Sequence, residues 1–159
     1  MVHTRRPLHA RMALFWHDHF ATSNAKIRAA PMMLQQLRTF ERLGLGRFDD
    51  LLLAMSRDPA MIVFLDGNLN VKGRPNENYA RELFELFALG VGNYTERDIQ
   101  EAARGFTGWN QRSGIFRFVR RDHDTGDKTV FGETGQFGGE DIVRLTVAGR
   151  KAEHVGVEI

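Results

Sequence analysis

The stretch Asn76-Glu77-Asn78-Tyr79-Ala80-Arg81-Glu82-Leu83-Phe84-Glu85-Leu86-Phe87-Ala88-Leu89 decides the fold. Tyr79, Leu83, Leu86 and Phe87 recur at the spacing that lines one side of an α-helix, and Gly90 supplies a stop. The stretch therefore predicts a helix buried along those four side chains. Asn78, Arg81, Glu82 and Glu85 fall at i, i+3, i+4 and i+7, a second stripe made wholly of polar groups. On an exposed helix that stripe is a solvated face with an Arg81–Glu85 pair. Turned inward, Glu82 and Glu85 become candidates for acid–base work or metal ligation.

Outward from this helix the same period recurs. Towards the N-terminus, Leu8, Met12, Phe15, Trp16 and Phe20 predict a helix over about 7–22, with His19 on the same stripe. Pro31 opens another helix that carries Leu34, Leu37 and Phe40 and stops at Gly44. Phe48 to Met55 reads as a third. Asp58-Pro59 is a cap followed by a first-turn proline, opening a short helix that Gly67 ends. Asn68 to Pro75 is a polar loop. Towards the C-terminus, Thr95 and Asp98 form a near capping box ahead of Ile99, Ala102, Ala103 and Phe106. From Ile115 the period changes to two, and Asp124-Thr125-Gly126-Asp127 separates two short apolar runs. One β-hairpin is therefore expected over about 115–131. Gly138-Gly139-Glu140-Asp141 starts a last helix. The expected architecture is mainly α: a multi-helix orthogonal bundle with one inserted hairpin, forming a single domain over 1–145 and followed by an atypical tail over 146–159.

Composition narrows the function classes. The 159 residues carry 22 Lys and Arg against 20 Asp and Glu, and 42% are hydrophobic, as in an average globular chain. No apolar stretch reaches the ~18–20 residues that cross a bilayer. His3, Arg5, Arg6, Pro7 and His9 stand where a signal peptide would need a long apolar run. With no cysteine, thiol nucleophiles, disulfides and Cys-ligated metals are excluded. Eighteen of the basic residues are Arg. They are scattered among acids and concentrate only at Arg5–Arg6 and at Arg117, Arg120 and Arg121, so no nucleic-acid partner is expected.

The stretches MALFWHDHFATS (Met12–Ser23), DDLLLAMSRDPAMIVFLDGNLNVKGRPNENYARELFELFALGVGNYTERDIQEAARGFTGW (Asp49–Trp109) and HDTGDKTVFGETGQFGGEDIV (His123–Val143) resemble the bacterial family known as domain of unknown function 1800. The resemblance spans about 11–144. It implies a helical domain with no established activity, in a family whose members are often exported and whose genes often neighbour a sulfatase-like partner. Members are usually longer at both ends, so the resemblance implies a core fragment, liable to self-associate, with a tail after Arg144 unlike the family.

The candidate site residues follow. His17 and His19 are candidate metal ligands, but two positions on a helix lie about 200° apart, so both rings cannot face one ion. A buried, hydrogen-bonded His19 is the plain alternative. Glu82, Glu85, His19 and His123 are the catalytic candidates. Asn76, Asn78, Arg81 and Lys128 are candidate binding residues, and His17, His19 and Glu82 are the candidate ligands of a divalent ion. Asp122 to Glu133 has the length of a calcium loop, but Asp127 stands where the sharp turn needs Gly, so a hairpin turn is expected there instead. Three function classes stay open: a family domain without catalysis, a metal- or acid–base-dependent enzyme, and an assembly module.

Overall fold

The computed structural model describes the backbone of residues 6–155 and the side chains of residues 6–149. Arg5 and the last four positions of the tail lie outside the described residues. The helices are α1 (Pro7–His19), α2 (Asn24–Ile27), α3 (Ala30–Leu43), α4 (Phe48–Ser56), α5 (Pro59–Phe64), α6 (Asn78–Glu82), α7 (Glu96–Gly105) and α8 (Gly139–Val155). The protein is mainly α, as its periodicity predicts.

Local signals set the helix starts. Asp58 caps α5, its Oδ1 accepting the Met61 N–H at 2.9 Å. The capping box forms in full: Thr95 Oγ1 accepts the Asp98 N–H at 3.1 Å, and Asp98 Oδ2 accepts the Thr95 N–H at 2.8 Å. Asp141 Oδ2 accepts the Gly138 N–H at the start of α8. That helix runs on past Arg144, and Thr146 and Val147 are buried in the core.

The deciding stretch is helical but not uniformly α. After α6 the chain winds into a π-helical segment, Leu83–Ala88. A π-turn carries more residues than an α-turn, so each residue advances less than the α step of ~100°. The buried side becomes Tyr79, Ala80, Leu83, Phe84 and Phe87, while Leu86 rotates out and is 56% exposed. The expected place of Leu86 in the core is thus corrected by the change of helical pitch.

Two other faces turn relative to expectation. Helix α1 packs on α3 through Ala13, Trp16, His17 and Phe20. Phe20 stacks on Phe40 with ring centroids 5.9 Å apart, and Trp16 donates to the Gly44 carbonyl at 2.7 Å. Leu8 and Phe15 consequently face outward. In α3 the buried positions are Gln36 and Phe40, and Leu34 and Leu37 are exposed. Gln36 is held inside by polar partners: it accepts the Thr22 hydroxyl and donates Nε2 to Asp58 at 2.8 Å. Pairing of this kind is what lets a polar side chain sit in the core.

The expected hairpin over 115–131 is replaced by two. Strand β1 (Trp109–Arg112) pairs antiparallel with β2 (Ile115–Phe118), and β3 (Lys128–Val130) pairs with β4 (Glu133–Gly135). The reason lies in the turns. Ser113-Gly114 and Phe131-Gly132 both take positive φ at both residues, the geometry of a tight two-residue hairpin. Each short apolar run therefore folds onto its immediate neighbour instead of across Asp124–Asp127.

Asn70, 3% exposed, joins these parts. Its Nδ2 donates to the Ala103 carbonyl at 2.9 Å, its Oδ1 accepts the Asn76 N–H at 2.9 Å, and its own carbonyl accepts the Gly108 N–H at 3.0 Å. The polar loop, the start of α6, the end of α7 and the approach to β1 are thereby fastened at one residue. Close by, α8 crosses α7 at Gly105, where a Cβ would stand 2.6 Å from Ile142 Cγ1. Only glycine permits that approach.

Replacing the fully buried Leu83 with Ala should cost ~2–5 kcal/mol in denaturant unfolding, whereas Leu86→Ala should stay within about 0.5 kcal/mol. Equal losses at both sites would return Leu86 to the core. A second expectation concerns Asp58. Burial pushes its carboxyl up to about 6, against which its hydrogen bonds from Met61 and Gln36 act. A raised carboxyl stabilises the folded state only while protonated, so this contribution is complete below pH ~4 and lost as pH rises through about 6. Asn in its place keeps the Oδ1 acceptor but cannot ionise. Asp58→Asn should therefore gain stability relative to the parent between pH 4 and 6, and a difference curve flat across that window would refute the assignment.

Candidate functional site

Alternation along the first hairpin sorts its side chains. Trp109 opposes Phe118, and Gln111 opposes Phe116, so these four share one face. Against that face lies the start of α8, where Gly139 comes so near the indole that a Cβ would fall 2.4 Å from Trp109 Cζ2. Between hairpin and helix opens a cleft of about 380 Å³, walled by Trp109, Phe116 and Phe118 and edged by Arg57, His123 and Arg144. That is large enough for a small ligand.

The aromatic wall is an edge-to-face ladder. Phe106, Trp109 and Phe116 follow one another at centroid separations of 5.2 Å, and Phe118 meets His123 at 5.2 Å. The Arg57 guanidinium lies 5.6 Å from the Trp109 ring and 5.7 Å from that of Phe116. It also pairs with Glu140, while Arg144 pairs with Asp141. The Nε of Arg57 is buried without a hydrogen-bond partner among the described residues.

His123 is fixed by a backbone group. Its Nδ1 stands 2.8 Å from the Thr107 carbonyl. A carbonyl only accepts, so Nδ1 carries the proton, and in the neutral ring Nε2 is left as an acceptor. The segment bearing His123 is itself clamped. Thr107 Oγ1 accepts the Asp124 N–H at 2.8 Å, and Arg104 Nε donates to the Asp124 carboxylate at 2.9 Å. The Arg104 guanidinium holds that carboxyl down at about 2. Lys128, fully buried, donates Nζ to the carbonyls of Asp124 and Gly126 at 2.7 and 2.9 Å, and burial lowers its ammonium below the usual lysine range. Lys128 thus shapes the loop from within.

The other sequence candidates lie elsewhere. Arg81 does not pair with Glu85: it forks onto Glu96 at 2.9 and 2.7 Å and reaches Glu77 at 3.2 Å. Glu85 accepts the Tyr94 hydroxyl at 3.3 Å. Glu82 is half-buried and accepts no hydrogen bond among the described residues. Partial burial, then the neighbouring Glu85, push its carboxyl up. Asn76 Oδ1 caps the Asn78 N–H at 2.9 Å, which gives both asparagines a part in starting α6. His19 Nε2 meets the Phe87 carbonyl at 3.1 Å, tying α1 to the π-segment, and His17 lies against the Phe40 ring with a buried Nδ1 that has no hydrogen-bond partner among the described residues. Among the described residues no three His, Asp or Glu side chains form a group that could hold a metal ion.

Of the candidates, then, His123 alone lines the cleft. Arg57, Trp109, Phe116, Glu140 and Asp141 join it from four separate segments. Arg57, Trp109, His123, Glu140 and Asp141 fall within the second and third quoted stretches, whereas Phe116 lies between those stretches and carries no sequence signal of its own. A family model described as a protein of unknown function, DUF1800, matches residues 1–155. No curated protein and no solved structure matches the chain.

The His123 geometry makes a spectroscopic expectation. Nitrogen-15 NMR at a pH where the ring is neutral should show the His123 proton on Nδ1. A proton found on Nε2 would dissolve the link to Thr107.

Proposed function

The chain belongs to the DUF1800 family, whose function is unknown, and from that membership we propose that it is a binding domain for a compact sugar-like polyol held in the cleft between the first hairpin and α8. The observation that carries this reading is the convergence of three aromatic rings, Arg57 and His123 on one concavity. Aromatic faces take the apolar side of a sugar ring, and guanidinium, carboxylate and imidazole groups around the rim take its hydroxyls. His123 Nε2 is the proton acceptor for a ligand hydroxyl, and Thr107 is its positioning residue. Glu82 and Glu85 stand outside this reading.

The chain has two tryptophans, and only Trp109 faces the cleft. Titration with glucose and with glucuronate should therefore change its fluorescence saturably. The change should vanish in Trp109→Phe, although Trp16 still emits, and Arg57→Gln should weaken binding at least tenfold. No saturable change with either sugar would overturn the proposal.

A second reading rests on a different observation. Leu14 and Phe15 of α1 and Leu34 of α3 are each about half exposed, on two helices that pack together. Such a face favours an assembly role, either self-association or docking of the sulfatase-like partner that the family resemblance implies. On the same footing we propose an orthogonal crossing of the helices, supported by short links such as Arg57-Asp58 between α4 and α5. Concentration-dependent sedimentation tests the face: association should disappear in Phe15→Ser, and a monomer at high concentration would remove the self-association arm. No helix among the described residues is long and apolar enough to cross a membrane.

A further inference from the structure

The opposite side of the first hairpin has another character. Arg112, Arg117, Arg120 and Arg121 line a broad groove of about 990 Å³ to which, among the described residues, no acidic side chain contributes. Arg121 touches Asp122 at 3.2 Å, and the other three guanidinium groups form no ion pair among the described residues. Two or three basic groups left unpaired side by side repel one another, so the groove is poised to receive negative charge.

The same side presents an open strand. A two-residue turn makes Arg112 and Ile115 a hydrogen-bonded pair, and antiparallel alternation makes Asn110 and Arg117 the next. Val119 continues the series, donating to the Gly108 carbonyl at 2.8 Å. By that alternation the backbone groups of Phe116 and Phe118 face away from β1. Among the described residues no backbone hydrogen bond takes them up. The edge of β1 is different, since the Gln111 N–H donates to Asn68 Oδ1 at 3.2 Å. The hairpin therefore has one covered edge and one free edge, and the free edge runs beside the arginines.

We propose that the free edge of β2 binds an extended acidic segment of a partner protein as a third strand. Backbone groups of Phe116 and Phe118 pair with the incoming chain, and Arg112, Arg117 and Arg120 fork onto its carboxylates. Half-exposed Ile115 and Phe118 offer apolar contact to side chains on the alternate positions. A nucleic acid would satisfy the arginines but leave the strand edge unused, so the two observations together favour a peptide. The opposing consideration is that charged side chains also guard free edges against aggregation. A guarding role predicts no ligand at all. The arginines lie on the hairpin face opposite the sugar cleft, and Phe118 borders both sites.

The test is fluorescence polarisation on the full chain with a labelled Glu- and Asp-rich octapeptide. Controls are a Ser- and Gln-rich peptide of the same length, the acidic peptide N-methylated at alternate residues, and a single-stranded oligonucleotide. Saturable binding of the acidic peptide is expected, at least tenfold tighter than the neutral or N-methylated versions, and weakened at least tenfold by R117E/R120E. Both substitutions are at exposed positions, and an unchanged circular-dichroism melt confirms that the variant is folded. Binding of the oligonucleotide as tight as that of the peptide would overturn the proposal in favour of a phosphate surface. Equal affinity of the N-methylated peptide would overturn strand addition, and no saturable binding of any probe would leave the arginines as edge guards.

Discussion

The fold depends on one buried amide. Asn70 sits in a loop that composition alone would send to the surface, yet it is almost completely buried and uses both ends of its side chain as well as its own carbonyl. A buried polar group left unpaired costs about as much as a typical single mutation, ~1–3 kcal/mol. Satisfying all of these groups at once requires the end of α7, the start of α6 and the approach to β1 to stand in one relative position. That position aims the first hairpin across the beginning of α8. The cleft is thus a by-product of how a loop residue finds its partners.

A second polar chain, Thr22–Gln36–Asp58, runs through the other half of the core. It fastens the link between α1 and α2, the middle of α3 and the cap of α5. Arg57 is carried beside this cap, which brings its guanidinium over the aromatic wall. The two networks explain why the site is built from dispersed segments. Each contributes a side chain that is rigid for reasons of packing elsewhere.

What could be read in the sequence was whatever is local. The Asp58 cap, the Thr95–Asp98 box and the extents of α4 and α7 rest on contacts within one turn, and they are visible as spacing. Three things are not local. The π-turn that ejects Leu86 leaves no mark in the hydrophobic pattern, because Tyr79, Leu83 and Phe87 fit either pitch. The rotation of α1 is set by Phe40, so Ala13 and His17 displace the larger Phe15 and Leu8 from the interior. The hairpin turns use Ser113 and Phe131 at positive φ, where the usual Asn or Gly signal is missing. Of the site, only His123 stood out beforehand. Its companions are ordinary residues until tertiary structure gathers them.

Lys128 carries a consequence of its own. The chain has four lysines, and this one spends its ammonium on two loop carbonyls in a place that solvent does not reach. An amine so enclosed can meet an acylating reagent only when the loop swings open, so its labelling is governed by the frequency of that opening. Lysine acylation followed by mass spectrometry thereby becomes a clock for the segment that holds His123. The same enclosure shields this lysine from modifying enzymes for as long as the loop stays shut.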